Sequence, residues 1–518
     1  MEKRLNLPLR STLHKKGAGN RQFKMDNLRG KSIHAGLANA GGQFARVFVK
    51  LLSTMILARL VAPGDYGLVT MATTFTGFLG LFSSLGLYHA AIQRDSVSPA
   101  QSSTLFWITL LFGLVLFALC AVLAPSVAGF YGDQKLVSAT MIIGVGFIIS
   151  GAGIQHEVIL SRQMRYGTAA IIELVSEIIS AAAAIYIAWL GYGYFALAYM
   201  IVLRQCVVTI GMWYSTRWIP DRPHFDASVM PMLRFGRAVT LTTAANFIAG
   251  NLQKVMIGKF WGEQAVGLYG RSSYLSAFPV EILNGAIGEV AFNALSKVKG
   301  DAVRLRRSFL QIFTCVIALT LPITVACALF ADDLISVLLG PAWSGVVPIF
   351  RLLMPAVLLL AIEGPIGWLL SALGLAEKNL RVTLVSTPLI LIGTMIGLSY
   401  GPSGVALAYS AVMVLKFVPI MAWALMGTGI HLKDIFMGTM GPIVSSIIAG
   451  AVCCFIEVNY LQYYPLLLRL ALIMFLFFVI YALVLLRSRS YRAVLIEVLQ
   501  IVKGLGLDPH KSGLRSAS

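Results

Sequence analysis

The sequence predicts an all-α polytopic membrane protein of about 14 transmembrane helices, two parallel six-helix lobes plus two C-terminal helices. Composition is the first reason. Of 518 residues, 58% are hydrophobic and only 12% charged, with a mean hydropathy of +0.81. Soluble domains carry about 25% charged residues, so a soluble globule is excluded. Apolar runs are the second. Segments of around 20 residues, the length that crosses a bilayer, begin near Ala35, Gly67, Thr104, Leu136, Ala170, Tyr194, Val239, Tyr274, Phe309, Leu353, Val382, Val405, Thr439 and Leu466. The run from Tyr274 is the weakest, because Pro279, Glu281, Gly285, Gly288 and Glu289 interrupt it.

Placement of the basic residues is the third. With the amino terminus inside, 30 of the 41 Lys and Arg fall in the termini and the even-to-odd loops, 5 on the opposite side and six within spans. That split is the positive-inside pattern and puts both termini in the cytoplasm. The net charge of +19 is then topology plus attraction to anionic lipid heads, and no nucleic acid is expected as a partner.

Taken in order, residues 1–32 form a basic cytoplasmic tail. The apolar run behind the tail is too long for a signal peptide, and no small-residue cleavage pattern follows it. Residues 33–214 make the N-lobe with six spans. Its first span carries Asn39, Gln43, Arg46, Lys50 and Ser53 at spacings of four, three, four and three, which share one helical face. Arg46 and Lys50 facing lipid would cost at least about 2.5–3.5 kcal/mol each. The stripe therefore turns toward a wet cavity or an anionic partner.

Residues 215–238, with Pro220, Pro223 and several charges, read as a cytoplasmic linker between lobes. Residues 239–426 form the C-lobe, 427–487 the last two spans and 488–518 a cytoplasmic tail. Duplication supports the cut. Arg59–Leu68 lines up with Lys259–Leu268, and Ala196-Leu197-Ala198-Tyr199 recurs as Ala406-Leu407-Ala408-Tyr409. Both halves start on the same side, so the repeats are parallel, a transporter architecture with the path between lobes. The six cysteines all fall inside spans with no metal-ligand or disulfide spacing, so neither a metal site nor a catalytic group is expected.

Two stretches carry a family likeness. Arg59-Leu60-Val61-Ala62-Pro63-Gly64-Asp65-Tyr66-Gly67 resembles the R-L-L-x-P-x-[DE]-Y-G signature that closes the first span of bacterial polysaccharide exporters. Ala291–Asp301 resembles their F-P-x-L-S-x-x-x-x-D segment, with Asn293 standing where the family has proline. These exporters are flippases of lipid-linked sugar repeats in the multidrug/oligosaccharidyl-lipid/polysaccharide exporter superfamily. The colanic-acid and succinoglycan branch is the most similar, and the likeness runs from about Lys31 to Arg487.

The resemblance implies a multi-pass protein of the bacterial cytoplasmic (inner) membrane that works by alternating access. It would move undecaprenyl-pyrophosphate-linked oligosaccharide repeat units outward for exopolysaccharide or capsule, beside polysaccharide polymerase and export machinery. Cations suit the diphosphate, arginine in bidentate fashion. Arg46, Lys50, Asn39 and Gln43 are the expected ligands, with Asn246 and Lys254 on span seven and Arg204 on span six. A lysine near a span end also snorkels to the interface. Glu173, Glu177, Glu281, Glu289 and Glu363 are candidates for coupling to H+ or Na+, and each is equally a counter-ion for Arg46, Lys50, Arg204 or Lys416. No other cofactor is implied.

Three rivals remain. A multidrug antiporter of the same superfamily wants an acidic cavity, against Arg46 and Lys50. A peptidoglycan lipid-precursor flippase shares the span count and the cationic cavity. A membrane glycan polymerase or ligase, from another class, presents a large external loop with catalytic residues. The longest one here, about Ala331 to Arg351, offers Asp332 and Asp333, for which a helix-capping surface role is expected.

Overall fold

The computed structural model describes residues 45–83, 98–222, 230–488 and 491–492, and the side chains of Asn246 and Glu289 lie outside the described set. So do Asn39, Gln43, the basic tail and most of the last thirty residues. The described chain is α-helical, with no strand among the described residues. In a bilayer each backbone N–H and C=O must find its partner inside its own segment, which helices alone achieve in a chain without closed sheets.

The helices follow the apolar runs. They are α1 (45–60), α2 (Pro63–Gly80), α3 (Pro99–Tyr131), α4 (Lys135–Arg162), α5 (Tyr166–Trp189) and α6 (Tyr194–Thr216). A continuous stretch, Met230–Val298, breaks at Gly262 into α7 (230–261) and α8 (263–298). Gly262 has φ 78 and ψ −176, a backbone state that any side chain would strain. Beyond it come α9 (Ala302–Leu329), α10 (Ala331–Leu338), α11 (Val346–Ala372), α12 (Ala376–Leu398), α13 (Gly401–Leu425), α14 (Leu432–Ile456) and α15 (Leu466–Arg487). Ten described helices are long and apolar enough to cross a membrane, and the bent stretch after Gly250 makes an eleventh if taken as one span. The interrupted run at Tyr274 is helical through Pro279. The loop expected at Ala331–Arg351 is instead α10, a 3-10 turn at Pro341–Trp343 and the start of α11.

The chain divides into two compact units. The first gathers the described residues up to Leu60, Phe75–Ser126 and Val137–Ala244; the second takes Val61–Thr74, Val127–Leu136 and everything from Ala245. In the first, α5 packs on α6, and α3 meets α4 where Gly113, Gly144 and Gly151 leave no room for a Cβ. Small residues at such crossings let backbones approach in lipid, where water cannot drive association. Leu79, Leu116, Cys120 and Phe147 fill the space beside them. The start of the linker is strapped to this unit. Trp218 joins Phe106, Trp213 and the buried His156 in an aromatic box, and the Trp107 Nε1–H donates to Asp221 O at 2.9 Å.

The core of the second unit sits between α9, α11 and α13, with Phe309, Phe313, Leu369 and Phe417 in contact. The last two helices attach at one flank, α14 on α9 and α15 on α14. The duplicated turn also lies in this unit. A Cβ on Gly67 would overlap Glu263 O, and one on Gly267 would overlap Pro63 O. Pro63 and Glu263, like Gly67 and Gly267, are equivalent positions 200 apart, so the two copies of the turn cross each other reciprocally at their glycines. Tyr66 braces the crossing edge-on against the buried Trp343, 5.2 Å between centroids, and the Arg271 guanidinium lies 4.0 Å over its ring.

Gly67→Ala and Gly267→Ala are each expected to lower the unfolding midpoint of the detergent-solubilised protein, with an overpacking penalty of about 1–3 kcal/mol. Gly285→Ala, at a helical glycine with open space around it, leaves the midpoint unchanged or raises it slightly. Equal midpoints for all three variants would contradict the close crossing.

Candidate functional site

The expected site residues fall into two groups, one in each unit. In the first unit, Arg46 on α1 is paired through Nη1 with Glu173 Oε2 on α5. One turn along α5, Glu177 Oε2 accepts from Arg204 Nε of α6 at 3.0 Å. The two pairs are one electrostatic cluster, since Arg46 interacts with both Arg204 and Glu177. Helical geometry explains the assembly. Positions i and i+4 on α5 stack on one face, so both carboxylates point the same way and each meets one guanidinium. Glu177 is buried and Glu173 half-buried, whereas Lys50, a turn beyond Arg46, is exposed.

This pairing changes the character of the site. Two guanidiniums and two carboxylates sum to zero, so the arginines are paired rather than bare. Asn39 and Gln43, expected on the same stripe, lie outside the described residues.

In the second unit, Lys254 on α7 lies beside a cavity of about 360 Å³ walled by α7, α8, α11 and α13. Its ammonium donates to Asn251 Oδ1 at 3.1 Å and interacts with Glu281 of α8, which also lines the cavity. A second cavity of about 380 Å³ shares Leu360 and Tyr409 with the first. There Lys416 Nζ donates to Glu363 Oε1 at 3.0 Å, the pairing that the sequence offered for these two residues. Asn246 sits on α7 and Glu289 on α8, with no side-chain contact described.

Several lining residues escaped the sequence reading. Tyr269, Ser273, Ser276 and Tyr409 all face the first cavity, beside Gln253 of the polar region of span seven. A signal for part of this wall was present. Gly270, Ser273, Ala277 and Glu281 run at spacings of three, four and four, a small and polar face on α8. Asp332 and Asp333 need a correction. They do not cap a surface helix: Asp333 is buried and makes a two-point ion pair with Arg469 of α15, while Asp332 pairs with Arg351 at 2.5 Å. An aspartate on α10 and an arginine 136 positions later carry no spacing signal that would reveal the pair. Among the described residues no cluster of three or more His, Cys, Asp or Glu has metal-binding geometry.

A model of the polysaccharide biosynthesis protein family matches residues 56–348. The chain belongs to this family. Among curated relatives, the teichuronic acid biosynthesis protein TuaB of Bacillus subtilis (strain 168) is 27% identical over 342 residues, 64% of this chain and 68% of that protein. The lipopolysaccharide biosynthesis protein WzxC of Escherichia coli (strain K12) is 24% identical over 401 residues, 76% of this chain and 80% of its own length. The succinoglycan biosynthesis transport protein ExoT of Rhizobium meliloti (strain 1021) is 23% identical, covering 59% of this chain and 62% of that protein. Among solved structures, the lipid II flippase MurJ in an inward closed conformation superposes with a TM-score of 0.69 at 14% identity, over 89% of this chain and 99% of that one. An inward-facing multidrug resistance MATE transporter of the MOP superfamily gives 0.59 at 15% identity, over 74% and 94%. At these identities the likeness establishes the fold: a multi-pass helical membrane protein built as MOP-superfamily transporters are.

Coupling between Arg204 and Glu177 is testable by a double-mutant cycle. Arg204→Gln and Glu177→Gln each leave one charge in the apolar bundle, so the double variant should be more stable than the sum of the singles implies. The expected interaction is on the order of 1–3 kcal/mol, measured by unfolding in detergent. Additive effects would show that the two groups do not share a site.

Proposed function

We propose that this chain is a flippase that moves undecaprenyl-pyrophosphate-linked oligosaccharide repeat units across the cytoplasmic membrane. Alternating access carries the headgroup through the bundle while the prenyl tail stays in lipid, and the repeats feed exopolysaccharide or capsule assembly. In this reading the protein is a transporter and not an enzyme. Helices α1, α2, α7 and α8 count as four spans beside the ten long apolar ones, giving fourteen with both termini cytoplasmic. The two six-span lobes and the cytoplasmic linker of the sequence reading belong to the same proposal.

The single observation that carries the reading is the cluster of Arg46 and Arg204 against Glu173 and Glu177. Two carboxylates one turn apart occupy two guanidiniums, and a diphosphate brings two negative charges that replace them. Arginine suits that exchange because its planar fork binds phosphate and carboxylate alike. Lys50, one turn along α1, adds positive charge to the same region, with Asn39 and Gln43 on its stripe. Family membership supports the same substrate class, since WzxC and ExoT are named for polysaccharide biosynthesis and ExoT for transport.

Energy coupling follows from the same chemistry. Carboxylates released from arginine or lysine can take a proton or Na+, which makes Glu173, Glu177 and Glu363 the coupling groups, with Glu281 and Glu289 of α8 as further candidates. Partners follow from the reaction: a polymerase or export machine consumes each repeat on the far side of the membrane.

The test is made in cells carrying Arg46→Ala/Lys50→Ala at normal membrane levels. Polymer output is expected to fall at least tenfold while undecaprenyl-linked repeats accumulate on the cytoplasmic face. Unchanged export would remove the stripe from the mechanism. Repeats accumulating on the outer face would point to a polymerase or ligase instead.

A further inference from the structure

The proposed function leaves the sugar part of the headgroup without a binding place, and the first cavity of the second unit has the chemistry for one. Its wall is mixed. Ser273, Ser276, Tyr269 and Tyr409 bring hydroxyls, Gln253 an amide, and Leu353, Val357 and Leu360 apolar surface. The Tyr269 hydroxyl donates to Gln253 Oε1 at 2.5 Å, and both residues are buried. With its oxygen engaged by a fixed ring, the Gln253 amide has its two N–H donors left for a ligand. Lys254 and Glu281 set one cation against one carboxylate across the same space. Gly250 and Gly270 thin the wall where side chains would fill it.

Each competing occupant meets an obstacle in this wall. A diphosphate would bring two negative charges against one lysine and face the Glu281 carboxylate. A lipid tail would cover hydroxyl and amide groups without replacing their hydrogen bonds, at about 1–3 kcal/mol for each group. A sugar ring has neither fault. Its hydroxyls both donate and accept, so they match a wall that holds donors and acceptors together, and its C–H face packs on the apolar side and on the Tyr274 ring. The volume of about 360 Å³ lies near the lower end of ligand pockets, about 300–1,000 Å³, the right order for one ring.

The geometry points to this cavity as a carbohydrate subsite that takes one sugar ring of the lipid-linked headgroup. The inference rests on the flippase reading above and deepens it. Glu281 and Gln253 are the groups that pair with ring hydroxyls, Tyr409 and Ser273 supply further hydroxyl contacts, and Lys254 faces the same space. Discrimination among headgroups resides in this wall, while the guanidinium cluster of the first unit treats all lipid diphosphates alike.

Binding of two kinds of short-chain probe to the purified full-length protein tests this. One is farnesyl diphosphate, without sugar; the other is a set of farnesyl diphosphates bearing glucose, galactose or N-acetylglucosamine. Wild type should bind at least one sugar-bearing probe about tenfold more tightly than farnesyl diphosphate. The double variant Ser273→Ala/Tyr409→Phe should bring that ratio close to one with farnesyl diphosphate affinity unchanged, which also shows that the variant folds. Arg46→Ala should weaken every probe alike. A wild-type protein that binds farnesyl diphosphate but prefers none of the three sugars overturns the subsite alone. So does a double variant that keeps the wild-type ratio or weakens both kinds of probe equally. Failure of wild type to bind any probe overturns the lipid-diphosphate reading and the subsite with it.

Discussion

Charge inside an apolar bundle must be compensated, and the functional geometry of this protein follows from how that is done. Arg46 meets Glu173, Arg204 meets Glu177, Lys416 meets Glu363 and Arg469 meets Asp333. Such pairs contribute little net stability, because desolvation offsets most of the attraction, yet breaking one leaves a charge stranded at a cost of about 3–5 kcal/mol. The Arg469–Asp333 pair ties α15 to α10. The pairs of α1, α5 and α6 join three helices of the first unit, and the proposed exchange of carboxylate for diphosphate rests on them.

Much of the architecture was legible in the sequence because membrane insertion leaves a coarse record. Apolar runs of bilayer length became helices, and the interrupted run at Tyr274 became α8 despite Pro279. The co-facial placement of Arg46 identified a cation that needs a partner, and mid-span position identified Lys416 with Glu363. Which carboxylate would serve Arg46 was not legible, since Glu173 and Glu177 stand on another helix more than a hundred positions away. Asp333 was misread for the same reason: a capping role is local, whereas its partner Arg469 is distant. The cavity wall on α8 was half visible. Its small and polar face has helical spacing, but Tyr409 joins it only through tertiary packing.

Duplication gave the clearest link between sequence and three-dimensional structure. The turns Arg59–Leu68 and Lys259–Leu268 match at an offset of 200, and in the structure each places its glycine against the other's backbone. A reciprocal contact of this kind needs glycine at both copies, since a Cβ on either overlaps a carbonyl. It also ties Val61–Thr74, from the first half of the sequence, into the second unit.

The most direct test of the central claim is translocation by the purified protein in liposomes. A fluorescent prenyl diphosphate bearing a sugar is supplied in the inner leaflet, and its arrival outside is followed with an impermeant quencher. The account predicts transfer well above protein-free liposomes and its loss in Arg46→Ala/Arg204→Ala protein that reconstitutes in equal amount. Transfer at the wild-type rate in that variant would contradict it, because the exchange of carboxylate for diphosphate would then play no part in moving the substrate.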